Sequence, residues 1–274
     1  MELSDGQIER YSRQIVLEEV GGRGQAKLLG SKVLVVGAGG LGSPACLYLA
    51  AAGVGTIGII DSDKVELTNL QRQVLYGIED VGRDKVESAR ERIAAMNPEV
   101  EVKAYKIRAN AGNISEIVRE YDFVIDGTDN FAAKFLINDA CYFERRTFSH
   151  AGVLRFYGQL MTVEPGESAC YRCIFPSPPE AGVVPTCSQA GILGAVPAVI
   201  GSLQATEALK HVLGVGELLT DRLLTYNALT MGFRRVRVRR NPDCPLCGEG
   251  AEIKELKDEE PPVCDLEEEE RERA

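Results

Sequence analysis

The chain has 274 residues, of which 45% are hydrophobic, and it carries a formal net charge of −10. This length suits one large α/β domain or two small ones, and the negative charge argues against general binding to nucleic acids, whose phosphates are bound by clustered Lys and Arg. No apolar run approaches the length of about 18 residues that a membrane span needs, and residues 1–10 lack the pattern of a signal peptide. We therefore expect a cytoplasmic protein.

The first half of the chain predicts strands and helices in alternation. A helix capped by Ser4 or Asp5 is expected to end before the glycines at 21–24. Short apolar runs predict four strands, at 32–36, 56–60, 100–106 and 122–126. Apolar residues at helical spacing predict three helices between them, at 41–52, 79–96 and 113–120. This order is typical of βαβ units, which form a parallel sheet.

The pattern changes in the second half of the chain. After a helix near 130–145, residues 147–163 predict two strands joined by a tight turn, so the sheet is expected to become mixed. Residues 164–190 lack periodicity, and loops of this length are usually functional or mobile. A mostly apolar helix at 192–213 and two strands within 221–238 complete the fold.

A glycine-rich turn follows the first predicted strand, in the stretch VLVVGAGGLGS at 33–43. Gly37, Gly39 and Gly42 have the spacing G-x-G-x-x-G, which lets the backbone approach a phosphate or a ribose closely. The next strand ends in Asp61, where a Rossmann unit places its ribose-binding acid. The motif alone is compatible with an NAD-dependent oxidoreductase as well as with other nucleotide-binding proteins.

The polar segment DSDKVELTNLQRQ, at 61–73, follows the same strand. A short helix would present Asn69, Arg72 and Gln73 on one face, and Lys85 could join Arg72 against phosphate oxygens. The alternative is a solvated loop with surface ion pairs.

The segment DGTDN, at 126–130, ends another strand. It brings Asp126 and Asp129 to the same sheet edge, where two carboxylates beside phosphates suggest Mg²⁺. The alternative is that Asp129 or Asn130 caps the next helix.

Four of the eight cysteines form two C-x-x-C pairs, Cys170 with Cys173 and Cys244 with Cys247. Four thiolates suit a closed tetrahedral zinc site. Free core cysteines and an iron–sulfur cluster are the alternatives. Cys187 is a candidate nucleophile, because a helix is predicted to begin just after it and a helix N-terminus lowers a thiol pKa.

In this order the motifs resemble the MoeB/ThiF family, bacterial and archaeal relatives of ubiquitin-activating enzymes. The likeness covers roughly residues 5–248. It rests on RYSRQI (10–15), VVGAGGLGS (35–43), DSDKVELTNLQRQ (61–73), GRDK (82–85), DGTDN (126–130), both C-x-x-C pairs and PTCSQAGILG (185–194).

The resemblance implies a Rossmann-like α/β fold, with a largely parallel N-terminal sheet continued by antiparallel strands, an N-terminal helix and a structural zinc site. It implies one adenylation domain at 1–248, with an ATP-binding half at about 30–130 and a carrier-binding and zinc half at about 131–248. Residues 249–274, which hold twelve acidic and four basic residues, would form a disordered tail of unassigned role.

The activity implied by the resemblance is ATP-dependent and Mg²⁺-dependent adenylation of a sulfur-carrier protein. The C-terminal glycine of a small ubiquitin-like carrier, MoaD-like or ThiS-like, would form an acyl-adenylate and release pyrophosphate. The enzyme would serve molybdopterin or thiamine biosynthesis. The likeness includes no rhodanese domain, so the sulfur would come from a separate cysteine desulfurase or rhodanese. A noncatalytic binder of a ubiquitin-like protein is a further alternative.

The resemblance also assigns residues to roles. Asp129, Arg72 and Lys85 would serve catalysis, and Cys187 could form a covalent link with the carrier. Arg13 would reach the ATP of the partner subunit in a homodimer. The residues expected to bind ATP within one chain are Gly37, Gly39, Gly40, Gly42, Asp61, Asp63, Asn69, Arg72, Gln73, Lys85, Asp129 and Asn130. The zinc ligands would be Cys170, Cys173, Cys244 and Cys247.

Overall fold

A computed structural model of the chain describes residues 2–179 and 190–258. The helices are α1 (Asp5–Arg10), α2 (Ser12–Ile15), α3 (Gly21–Gly30), α4 (Gly42–Ala52), α5 (Lys85–Met96), α6 (Ile114–Val118), α7 (Phe131–Phe143), α8 (Tyr171–Ile174) and α9 (Ala195–Leu213). The strands are β1 (Lys32–Val36), β2 (Thr56–Ile60), β3 (Glu101–Tyr105), β4 (Phe123–Asp126), β5 (Thr147–Leu154), β6 (Tyr157–Val163), β7 (Arg222–Asn227) and β8 (Gly232–Arg237).

All eight strands belong to one sheet, in the order β3-β2-β1-β4-β5-β6-β7-β8. The pairs from β3 to β5 are parallel, and β6, β7 and β8 continue the sheet antiparallel. The predicted α/β fold with a mixed sheet is therefore confirmed. The change of direction comes at the hairpin of β5 and β6, where Leu154 pairs with Tyr157.

Helices cover both faces of the central parallel strands β1, β2 and β4, which explains why these strands are mainly apolar, whereas the edge strand β3 is only partly buried. In β1, Val33 and Val35 belong to the cluster packed by α4, α5 and α9, while Leu34 and Val36 belong to the cluster packed by α6 and α7. Buried parallel strands have this near-continuous hydrophobic pattern because neither face meets water. None of the helices in the described ranges is long and apolar enough to cross a membrane.

The structure corrects the predictions for two helices. The single helix expected before Gly21 is two short helices, α1 and α2, and the glycines at 21–24 begin α3, in which Gly24 packs closely against α9. A Cβ atom at Gly24 would lie 2.9 Å from a methyl carbon of Leu213. The helix predicted at 79–96 begins only at Lys85, since Gly82 has a positive φ of 87° that interrupts a helical path.

Candidate nucleotide site and cysteine cluster

A cavity of about 550 Å³ lies at the carboxyl ends of β1, β2 and β4. The neighbours β1 and β4 lead into α4 and α7, which cover opposite faces of the sheet. Ligands of open α/β sheets bind at such a switch point, because the two connections diverge and leave a crevice. The cavity therefore lies where a nucleotide would be expected.

The glycine turn forms one wall of this cavity and is sterically tight. Gly37 has a φ of 90°, and a Cβ atom there would lie 2.9 Å from the carbonyl oxygen of Gly127. A Cβ atom at Gly42 would lie 1.9 Å from the carbonyl oxygen of Gly37. Gly39 and Gly40 line the cavity, whereas Gly42 lies behind it in α4. The motif thus combines glycines that close the turn with glycines that face the cavity.

Asp61 ends β2 beside the glycine turn. Its carboxylate accepts hydrogen bonds from the backbone N–H groups of Ala38 and Asp63, both at 2.8 Å. Burial raises the pKa of Asp61, while Lys85 and these two N–H groups act in the opposite direction. These bonds hold the carboxylate at the cavity wall in one orientation. A fixed carboxylate there is suited to accept hydrogen bonds from ribose hydroxyl groups.

Cationic and amide side chains complete this wall. The Lys85 ammonium lies 2.9 Å from Asp63, and Arg72 donates to the carbonyl oxygen of Thr68 at 3.0 Å while lining the cavity. Gln73 is buried in the wall, and its Oε1 atom has no hydrogen-bond partner within residues 2–179 and 190–258. Lys85 and Arg72 offer positive charge to phosphate groups, and the free Gln73 oxygen can accept a hydrogen bond from a donor group. Together they suit a ligand that carries both, such as a nucleotide.

On the opposite side, Asp129 and Asn130 line the cavity after β4. Asn130 caps α7 by accepting a hydrogen bond from Ala133 N–H at 2.9 Å, which is the capping alternative considered for this residue. Asp126 does not line the cavity. Its carboxylate is fully buried and bonded to Thr128, so the suggestion that it joins Asp129 on Mg²⁺ is corrected.

Three of the predicted ATP-site residues do not line this cavity. Asn69 is buried behind it, where its side chain accepts from Glu66 N–H at 3.1 Å and its carbonyl accepts from the N–H of Arg72. Gly42 supports the turn from α4, and Arg13 is exposed on α2. Cys187 lies outside the described residues.

The two C-x-x-C pairs come together beside α7. The Cys170 sulfur lies 3.9, 3.6 and 3.5 Å from those of Cys173, Cys244 and Cys247, and all four ligand atoms lie within 4.8 Å of one another. A tetrahedral zinc site with Zn–S bonds of about 2.3 Å separates its sulfurs by about 3.8 Å. The cluster therefore fits a zinc ion.

Polar contacts fix this cluster to α7. The Arg172 guanidinium donates to both carboxylate oxygens of Asp139, at 2.8 and 2.7 Å, and Tyr171 N–H donates to Asn138 at 2.9 Å.

Two parts of the cavity wall had no signal in the motifs. Residues 107–110, which follow β3, line one end of the cavity. Asp258 lines it as well and accepts a hydrogen bond from Ala111 N–H at 2.8 Å. Residues Ile253 and Leu256, just before it, pack against the core on the α7 side. Such long-range packing of an acidic segment is not visible in a local sequence pattern.

The sheet order, the glycine turn with its Asp61 partner and the four-cysteine cluster define a nucleotide-binding α/β protein. A model of the ThiF family matches residues 11–246. The chain therefore belongs to the ThiF family, and the family resemblance seen in the sequence is confirmed.

Relatives with assigned names are similar over nearly the whole chain. The SAMP-activating enzyme E1 of Haloferax volcanii is 48% identical over 91% of this chain and 92% of its own length. The sulfur carrier protein adenylyltransferase of Thermus thermophilus is 47% identical over 93% and 96%. The probable adenylyltransferase/sulfurtransferase MoeZ of Mycobacterium tuberculosis is 44% identical over 89% of this chain and 63% of its own length.

Among solved structures, E. coli MccB in a complex with MccA-N7isoASN has a TM-score of 0.75. It is 24% identical in sequence and aligns with 87% of this chain and 75% of its own. At this identity the likeness supports the fold alone.

Proposed function

We propose that this protein uses ATP to adenylate the C-terminal glycine of a small ubiquitin-like sulfur-carrier protein. The relatives from Thermus and Haloferax carry the names of a sulfur carrier protein adenylyltransferase and an activating enzyme, which agrees with the enzyme class and function predicted from the sequence. The observation that carries the proposal is the buried contact of Lys85 with Asp61 beside the glycine turn, at the wall of the cavity. In this contact a cation that would meet the phosphates lies next to an acceptor that would meet the ribose.

The reaction would be an attack of the carrier carboxylate on the α-phosphorus of ATP, with pyrophosphate as the leaving group. The carboxylate is ionised at neutral pH, so no general base is required. Arg72 and Lys85 would neutralise phosphate oxygens, and their fixed positions would stabilise the charge that spreads between two anions. Asp61 would hold the ribose.

Asp129 is the residue in this wall that would hold Mg²⁺, since carboxylate oxygens are the ligands this cation prefers. The metal would neutralise phosphate charge and orient the leaving pyrophosphate. Asp63, Asn130 and Gln73 also line the cavity and are proposed to contact the nucleotide or its metal. Asn69 would act indirectly, through the turn that carries Arg72.

Further parts of the proposal concern partners. A homodimer would bring Arg13 of one protomer to the ATP of the other, since Arg13 is exposed on α2 and does not line the cavity of its own chain. Cys187 would contact the carrier and could form a covalent link with it. A separate protein would supply the sulfur, and the reaction would take place in the cytoplasm.

The zinc and the division of the chain are also proposals. The four-cysteine cluster would hold Zn²⁺ as a structural ion, because four protein ligands leave no position open for a substrate. Residues 30–130 would bind ATP, and residues 131–248 would bind the carrier and the zinc.

The test is the exchange of radiolabelled pyrophosphate into ATP by the purified protein with Mg²⁺. Each candidate carrier is added in turn, intact and without its terminal Gly-Gly. We expect exchange with at least one intact carrier and none with the truncated form. Equal exchange with the truncated carrier would sink the proposal, and so would thermal stabilisation by NAD without stabilisation by Mg-ATP.

A further inference from the structure

A buried lysine lies beneath the loop that carries Asp129. Lys134 is on the second turn of α7 and is 6% exposed. Its ammonium lies 3.2 Å from the Asp126 carboxylate, 2.7 Å from the carbonyl oxygen of Thr128 and 2.6 Å from that of Ala151. An ammonium has three N–H donors, so each of them has an acceptor.

These three acceptors belong to different parts of the fold. Asp126 ends β4, Thr128 lies in the loop that follows, and Ala151 lies in β5 beyond the point where β4 stops. Gln204 of α9 donates to the carbonyl oxygen of Asp126 at 2.9 Å and to that of Ser149 at 3.0 Å. The end of β4 is thus tied to β5 both by α7 and by α9.

The Asp126 carboxylate is the centre of this network. It also accepts from Thr128 N–H at 3.0 Å and lies 2.8 Å from Nδ1 of the buried His150. Burial alone would raise the pKa of Asp126, but Lys134, His150 and Thr128 together lower it to about 2. The carboxylate is therefore ionised and pairs with Lys134 inside the protein.

Such a pair is not needed to stabilise a core. Buried ion pairs are often replaced by apolar residues without loss of stability, because desolvation cancels much of their attraction. This pair instead acts on the loop after β4, in which Thr128 is followed directly by Asp129. Within the parts of the chain that are described, the Asp129 side chain makes no hydrogen bond or ion pair, so the backbone sets its position.

We propose that Lys134 is a positioning residue for adenylation: it holds the Thr128–Asp129 peptide by its carbonyl oxygen, so that Asp129 points into the cavity. Lys134 itself does not line the cavity and would not touch the nucleotide, whereas its neighbour Ala133 does line it. Asn130 fixes the other end of the same loop through its cap on α7. This inference rests on the proposed function, since it concerns where Mg²⁺ and ATP are held.

The test compares Lys134→Met with the wild type in pyrophosphate exchange, titrating Mg²⁺ at saturating ATP and carrier. We expect the maximal rate to fall by about 10-fold to 100-fold, because a misplacement of about 1 Å near reacting groups has this size of effect. We also expect the Mg²⁺ concentration for half-maximal exchange to rise. A lysine that only supported folding would lower the amount of active enzyme and leave this concentration unchanged.

Two further variants and a control accompany the test. Lys134→Arg keeps donors but changes their geometry, so it should retain an intermediate rate and need a Mg²⁺ concentration between those of the wild type and Lys134→Met. Lys210→Met is the matched control. Lys210 also lies in a helix with a carboxylate and a carbonyl acceptor, on Glu207 and Glu217, but it does not line the cavity. It should leave the Mg²⁺ requirement as in the wild type.

Loss of Lys134 leaves the buried Asp126 without its cation, so Lys134→Met alone could unfold. The double variant Lys134→Met with Asp126→Asn removes both charges, and its zinc content and thermal unfolding report whether it folds. A folded double variant with a wild-type rate and a wild-type Mg²⁺ requirement overturns the inference. If neither variant folds, an unchanged Mg²⁺ requirement in Lys134→Arg overturns it.

Failure of the proposed function gives a different result. In that case the wild type shows no exchange with any carrier. The role of Lys134 is then measured by calorimetry of ATP binding with and without Mg²⁺, where the inference expects Mg²⁺ to strengthen binding less in Lys134→Met than in the wild type.

Discussion

The ammonium nitrogen of Lys85 lies 3.9 Å from a carboxylate oxygen of Asp61, and less than a tenth of each side chain is exposed. The same ammonium lies 2.9 Å from Asp63, whose side chain is 66% exposed. Lys85 is thus held at the cavity by one buried and one exposed carboxylate. A phosphate that enters the cavity would replace the exposed partner while the buried one keeps the cation in place.

The first prediction concerns this cation. Lys85→Met should lower pyrophosphate exchange by about 100-fold or more, since one preorganised contact to a developing charge is worth about that much. Lys103→Met is the control, because Lys103 pairs with Glu120 at 3.0 Å on the surface, away from the cavity. Exchange that falls equally in both variants would contradict a specific role for Lys85.

The second prediction concerns the cysteine cluster. Cys244→Ser should release the metal and lower the free energy of unfolding by several kcal/mol, because metal binding there is coupled to folding and closes a long loop. Metal content by mass spectrometry and chemical unfolding measure the two effects. Cys46→Ala is the control, since Cys46 is buried in α4 outside the cluster and should keep the metal. Equal metal content in the two variants would count against the site.

The third prediction concerns pH. Burial lowers the pKa of His150, as does the nearby Lys134, while Asp126 acts in the opposite direction. The unfolded chain therefore takes up a proton at a pH where the folded protein does not, so stability is present above the ordinary pKa and is lost as the pH falls. Between about pH 7 and pH 5 the free energy of unfolding should fall, with a slope of up to about 1.4 kcal/mol per pH unit from this group.

His150→Gln should make that slope shallower, whatever its effect on stability at pH 7. Burial also lowers the pKa of His211, which is less completely buried, so His211→Gln should change the slope less. Urea unfolding across this pH range measures both, with metal content checked at each pH. An unchanged slope in His150→Gln would mean that the histidine is protonated in the folded state.

The local patterns of the sequence predicted the strands well and the cavity wall only in part. The central strands β1, β2 and β4 are short, mainly buried runs, so their positions follow from apolar residues alone. The glycine turn, Asp61 and Lys85 were identified because their residue types and spacing are specific to a chemistry. The inward position of Asp126 could not be predicted, because it depends on Lys134 and His150, which reach it from other elements.

The signal for Lys134 was present but weak. It is a lone cation in the apolar stretch FAAKFLI, and such a residue is either exposed or paired inside the protein. Only the sheet order decides between these, since β4 and β5 lie beside α7 and provide the acceptors. Asp258 carried no signal, because its contact with Ala111 joins residues that are far apart in the chain.

The fourth prediction concerns the proposed homodimer. If Arg13 serves the partner's ATP, Arg13→Ala and Lys85→Met should each be inactive alone, yet unfolded and refolded together they should regain activity. Random pairing would place one complete site in half of the dimers, which is about a quarter of the wild-type activity per site in a twofold dimer. Mixing Lys85→Met with Asp129→Asn is the control, because Lys85 and Asp129 of one chain line the same cavity. In that mixture every site lacks either Lys85 or Asp129, so no site is complete and no activity should return.

The fifth prediction separates the two kinds of glycine in the turn. Gly42→Ala would place a Cβ atom 1.9 Å from the backbone oxygen of Gly37, and backbone cannot move aside easily. It should lower the free energy of unfolding by about 2 kcal/mol or more.

Gly39→Ala would bring its Cβ atom no closer than 3.7 Å to another residue, the Gln73 amide, so the fold should remain stable. The added methyl group would instead take up space in the cavity that the nucleotide needs. Thermal unfolding with and without Mg-ATP distinguishes them, because Gly39→Ala should keep the melting temperature of the wild type and lose the stabilisation by nucleotide. The opposite assignment of the two effects would mean that Gly39, and not Gly42, closes the turn.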